Sequence, residues 1–207
     1  MPEAVLVVGA LAQVIVWRLV VRGRLPFWPA TATTFAAIGI ASLLSGDPNC
    51  CRESVAAASL AGVVSGLVLY GATRVVVDLA TRHPLLDRAV ADVYRRSEET
   101  PFAVVLVLTL LIAVPGEELF WRGLVLPELR DATSAVTGAL MTWTAAVGVS
   151  AAWASAPLLA GAVVGGALWT GLAWWSGGVV APIASHLLWT GLMLVWPPHA
   201  ARDMVPS

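Results

Sequence analysis

The chain has 207 residues, of which 58% are hydrophobic and 12% charged, and its mean hydropathy is +0.83. An ordinary soluble domain carries about 25% charged and 45–50% apolar residues, so these figures exclude a disordered chain, a nucleic-acid binder and a typical cytosolic enzyme. A formal net charge of −1 implies no polyelectrolyte partner, and two cysteines make no disulfide scaffold.

A bilayer-crossing helix needs about 20 mostly apolar residues. Seven candidate spans follow one another along the chain: about Ala4–Val21, Pro29–Leu44, Val55–Leu79, Pro101–Leu126, Ser134–Ala156, Leu158–Trp175 and Val179–Trp196. Arg18 and Arg74 lie near the ends of the first and third, where long side chains can snorkel to the interface. Arg22, Gly23, Arg24 and Pro26 divide the first two spans, and Asp47, Pro48 and Asn49 the next pair. Ser176-Gly177-Gly178 predicts a tight turn, and Pro197-Pro198 stops the last helix. Cys50 and Cys51 are adjacent, a spacing that gives a strained disulfide at best, and no chemistry is expected of them.

The longest polar stretch, residues 81–100, places Val90, Val93 and Tyr94 at helical spacing among charged residues, which predicts a short interfacial helix in a connecting loop. No repeat or linker divides the chain, and Met1-Pro2-Glu3 lacks the basic start of a signal peptide. The expectation is an all-α fold, a polytopic transmembrane helical bundle of about seven spans. It forms one membrane domain over residues 1–207 of a multi-pass protein of the cell membrane. All twelve basic residues are Arg. Arg22, Arg24, Arg82, Arg88, Arg95, Arg96 and Arg202 fall on one side of a seven-span chain, against Arg52 and Arg130 on the other. The positive-inside rule then puts the N-terminus outside and the C-terminus in the cytoplasm.

Ionisable groups inside apolar spans are expensive and point to function. The fourth span holds Pro115-Gly116-Glu117-Glu118-Leu119-Phe120-Trp121-Arg122-Gly123, and the seventh holds His186. Glu118 and Arg122, four apart, can pair on one helix face. Glu117 is turned about 100° away and is left to point elsewhere, suited to act as a general base. Counted from the ends of their spans at about 1.5 Å per residue, Glu117 and His186 both lie about 10–14 Å below one surface. A carboxylate and an imidazole at one depth can activate a water, with or without a metal. The small-residue run from Gly161 to Gly166, with Gly171, reads as close-packing surface rather than a phosphate loop. The tryptophans read as interface anchors or packing.

Glu117-Glu118-Leu119-Phe120-Trp121-Arg122-Gly123 resembles the EExxxR motif of the CPBP family, which contains CAAX prenyl endopeptidases, bacteriocin-processing and immunity proteins and Abi-type membrane proteins. Pro182-Ile183-Ala184-Ser185-His186-Leu187-Leu188-Trp189 is similar to the family's last motif, HxxxN or HxxxD. The resemblance covers about residues 101–196, the expected catalytic core. It implies an intramembrane endopeptidase acting on a membrane-associated peptide or protein. Glu117 would activate water, Glu118 and Arg122 would form a supporting pair, and His186 would hold the water or a metal, or stabilise the oxyanion. Two positions depart from the pattern. At the middle motif, FxxxH, Trp153 takes the aromatic place and Pro157 the place of His; in the last motif Thr190 stands for Asn or Asp. One His, one free carboxylate and Thr190 make a poor zinc site. The alternative expectation is therefore a catalytically degenerate relative acting as scaffold, immunity factor or peptide-binding module. A small transporter or proton relay lacks the inverted repeats that many transporters show.

Overall fold

The computed structural model describes residues 2–46, 51–95 and 100–198. Cys50, the Asp47–Asn49 turn, Arg96, His199 and Arg202 lie outside the described residues. Among those described the fold is all helical. Six helices are long and apolar enough to cross a membrane: α1 (Glu3–Val21 of Pro2–Val21), α2 (Phe27–Ser45), α3 (Val55–Ala80), α5 (Phe102–Ala132), α6 (within Ala135–Trp153) and α7 (Ala156–Ser176). A shorter apolar helix, α8, runs over Val180–Val195. The polar segment between α3 and α5 forms α4 (Pro84–Arg95). Val90 and Ala91 of α4 are buried while Arg88, Asp92 and Arg95 are exposed, the two-faced pattern expected there.

Span four extends further than hydropathy places it. Pro127 and Glu128 suggest a stop after Leu126, yet the helix continues to Ala132. Two π-helical turns, Val107–Ala113 and Trp121–Val125, interrupt it. Each precedes a proline by a residue or two. Pro115 has no N–H for the carbonyl of Leu111, and Pro127 none for that of Gly123. A widened turn takes up the mismatch without breaking the helix. The longer helix also moves Glu117. It stands 15 residues from both Phe102 and Ala132 (117 − 102 and 132 − 117), near mid-helix and deeper than the count from Leu126 implies.

At the next turn the sequence expectation needs trimming. Span five ends as an α-helix at Ser150, continues as a 3₁₀ turn over Ala151–Trp153, and stops at Ala154, a left-handed residue with φ 52°. Pro157 then sits in the first turn of α7, a position where its missing N–H costs nothing.

Glycines bring the backbones together, as bilayer packing demands in the absence of a hydrophobic drive between helices. A Cβ at Gly116 would collide with the carbonyl oxygen of Phe35, and one at Gly39 would lie 2.8 Å from the Gly116 Cα. The chain therefore carries α2 across α5 at the residue before Glu117. Gly62 and Gly66 of α3 do the same against Ala181 and Ser185 of α8, with a Cβ 2.5 Å from Ala181 O and 2.8 Å from Ser185 O. Polar links reinforce this seam. Ser65 Oγ donates to Ser185 Oγ (3.2 Å), and Trp189 Nε1 to Thr73 Oγ1 (3.1 Å). Gly171, expected to face a close neighbour, has open space around its Cβ position. An aromatic core closes the α1–α2 side, with Trp17 stacked on Trp153 at 4.2 Å and tilted on Phe35 at 5.5 Å.

Candidate functional site

The segment Val114–Phe120 of α5 presents Glu117 and Glu118 to different surroundings. Glu118 is wholly buried, and Arg122 and His186 nearly so. Arg122 donates from Nη1 to Glu118 Oε1 (3.2 Å) and from Nη2 to the carbonyl of Gly166 on α7 (3.2 Å). The intrahelical pair is thus extended into a tie between α5 and α7.

His186 reaches the same carboxylate oxygen. Its Nδ1 lies 2.7 Å from Glu118 Oε1, although Glu118 and His186 are 68 residues apart in sequence. A carboxylate accepts, so Nδ1 carries the hydrogen of this bond, and in that tautomer Nε2 is left as an acceptor. Trp169 of α7 stacks on the imidazole at 3.5 Å with planes 15° apart, and the Arg122 guanidinium carbon sits 5.7 Å from the Trp169 ring centroid. The imidazole is held at its edge by Glu118 and over its face by Trp169.

Glu117 makes no hydrogen bond among the described residues. It lines a cavity of about 190 Å³ together with His186, Thr190, Thr109, Thr31 and Leu158. The hydroxyls of Thr31, Thr109 and Thr190 have no partner, and neither has Glu118 Oε2. Buried polar groups are nearly always satisfied, so three orphan hydroxyls around a free carboxylate describe a place built for water or a polar substrate group. The walls come from the first turns of α2 and α7, from α5 between Leu108 and Glu117, from Val93 of α4 and from the middle of α8. This is the end of the bundle that bears Arg22, Arg24, Arg82, Arg88 and Arg95.

The five sequence-designated residues fall into two groups. Glu118 and Arg122 form the buried tie, while Glu117, His186 and Thr190 line the cavity. His186 belongs to both, through its bond to Glu118 and its ring on the cavity wall. The expectation that His186 chiefly faces Glu117 therefore gains a qualification: its direct bond is to Glu118. Trp153 is packed into the aromatic core, and it is Leu158, one residue beyond Pro157, that meets the cavity.

Trp169, Gly166, Thr31 and Thr109 were not evident from sequence. Thr109 carried a signal, two helical turns before Glu117 on the same helix; Thr31 is brought in only by the Gly39–Gly116 crossing.

The donor set does not suit a divalent metal. Among the described residues, His186 is the one imidazole on the cavity wall, its Nδ1 is committed to Glu118, and no group of three or more His, Cys, Asp and Glu could hold an ion.

In comparison with known proteins, the model of the family described as type II CAAX prenyl endopeptidase Rce1-like matches residues 99–192. No curated protein and no solved structure matches the chain. The matched stretch contains Glu117, Glu118, Arg122, His186 and Thr190.

Proposed function

Taking as premise that residues 99–192 are an Rce1-like domain of the CPBP family in a multi-pass membrane protein, we propose that the chain is an intramembrane endopeptidase of the cell membrane. Its substrate is a membrane-associated peptide or protein, and residues 101–196 are its catalytic core. The observation that carries this reading is an unpaired carboxylate, Glu117, sharing a cavity of about 190 Å³ with an imidazole whose orientation is fixed from two sides.

In this mechanism a water enters between Glu117 and His186. His186 Nε2 accepts one of its hydrogen bonds and orients it. Glu117 takes a proton as the water oxygen bonds to the scissile carbonyl carbon, whose oxygen gains the electron pair. The Thr190 and Thr109 hydroxyls, which have no other acceptor, donate to that oxygen. Collapse of the tetrahedral species breaks the C–N bond, and the proton held by Glu117 passes to the leaving amine. Glu118 and Arg122 touch no reacting atom; they hold His186 in its tautomer and α7 against α5. No step is routed through a metal.

The test is hydrolysis of prenylated and unprenylated peptides by the purified protein in detergent. Turnover by the wild type that vanishes in Glu117→Gln supports the reading. Equal turnover by both removes it.

One observation favours a second reading. Leu158 takes a cavity position and, among the described residues, no second imidazole lines the cavity, which suits a relative that binds a peptide without cutting it. Saturable peptide binding that survives Glu117→Gln, with no product from the wild type, would select this scaffold, immunity or peptide-binding role.

A further inference from the structure

The end of the bundle opposite the cavity bears two loop-region arginines among the described residues, Arg52 before α3 and Arg130 in the last turn of α5. They converge on one cleft. Arg52, Arg122 and Arg130 line a recess of about 30 Å³ with Gly123, Pro127, Trp174, Gly177 and Gly178.

The position of Arg52 is built by the turn between α7 and α8. Its backbone N–H donates to the carbonyl of Ser176 (2.7 Å) and its Nη2 to that of Trp174 (3.4 Å). Its side chain lies against Gly177, where a Cβ would fall 2.7 Å from Arg52 Cγ and closer still to Nε. Gly177 also has φ +69°, so glycine serves here for both the turn and the arginine. Arg122 supplies the buried wall. With Nη1 on Glu118 and Nη2 on Gly166, its Nε is buried without a partner. Arg130 gives only Nε to Asp131, at 2.9 Å. Asp131 and Glu118 are the carboxylates bonded to these arginines, and each leaves guanidinium nitrogens over.

Three guanidinium groups with spare donors around a small recess match a tetrahedral oxyanion, which accepts several charge-assisted bonds at once. The volume admits about two or three water positions, a single phosphate group rather than a nucleotide or sugar. Trp174 and Trp175 are about half exposed beside it, as aromatic residues at a membrane–water boundary are. We propose that this cleft binds a phosphate group at the membrane surface, the headgroup phosphate of a phospholipid or free inorganic phosphate. The cleft meets the surroundings of Glu117 only through Arg122, whose bond to Glu118 a bound phosphate would leave in place.

The experiment uses the full chain in detergent. Native mass spectrometry reads retention of phosphatidylglycerol and phosphatidylcholine, and thermal denaturation reads stabilisation by inorganic phosphate. Wild type is compared with Arg52→Ala/Arg130→Ala; should that double variant fold poorly, Arg52→Gln and Arg130→Gln are used singly. The expected result is apparent lipid affinity weakened about tenfold or more, the equivalent of one lost charge-assisted contact. Lipid retention lost in the variants identifies a headgroup. Phosphate stabilisation lost in the variants, with lipid retention unchanged, identifies the free ion. Variants matching the wild type in both arms overturn the proposal.

Discussion

Oε1 of Glu118 is shared: His186 Nδ1 lies 2.7 Å from it and Arg122 Nη1 3.2 Å. One oxygen thus joins α5 to α8 through the imidazole, and to α7 through the guanidinium and its bond to Gly166. Removing one member of such a buried set leaves charge uncompensated, which in buried ion pairs costs about 3–5 kcal/mol. Glu118→Ala is expected to lower the denaturation midpoint in detergent markedly and to abolish turnover. Glu118→Gln retains an acceptor oxygen and should retain more of the fold.

Glu117 stands outside that set, with no hydrogen bond to lose. Glu117→Gln is therefore expected to keep the wild-type midpoint while turnover falls by about 10²–10⁴, the usual worth of a general base. Paired melting curves and initial rates on one preparation check both halves.

In the proposed reaction Trp169, stacked on His186, is a positioning residue that acts through the imidazole. Trp169→Ala frees the imidazole to rotate and should lower kcat about tenfold or more, the scale at which small misplacement is felt, with KM little changed. Trp169→Phe keeps a stacking face and should restore most of kcat. A merely structural role would move the melting midpoint and leave the kcat-to-KM split unaltered.

Two glycines separate close packing from simple small size. Gly116→Ala drives a methyl into the Phe35 carbonyl and should separate α2 from α5, lowering both stability and activity. Gly171→Ala meets nothing within 4 Å. It should be neutral or stabilise by up to about 1 kcal/mol, the helix-propensity gain of Ala over Gly. Both are read by denaturation in detergent.

Much of the bundle was legible because lipid imposes length and apolarity on any crossing helix. The runs read as ending at Val21, Leu44 and Leu79, each within a residue of the helix end, needed no tertiary information. The Glu118–Arg122 pair was legible because four-residue spacing is a local property. The path of α5 beyond Leu126 was not, since Pro127 reads locally as a stop and only the preceding π turn lets the helix run on. Which carboxylate His186 would reach was hidden for a related reason. Depth in the membrane can be counted along a chain, but rotation about the helix axis cannot, once wide turns stand on both sides of Glu118. Arg52 and Arg130 looked like stray loop charges, and their meeting depends on the turn at Gly177.

The separation of Glu118 and His186 by 68 residues also bears on biogenesis. Helices enter the membrane in order of synthesis, so the α5 carboxylates reach the bilayer while α8 is still unmade. Until α8 docks along Gly62 and Gly66, the imidazole is missing and Trp169 has only the Arg122 guanidinium over its ring. If the proposed endopeptidase activity holds, a nascent chain lacks part of its site until the last helix is in place.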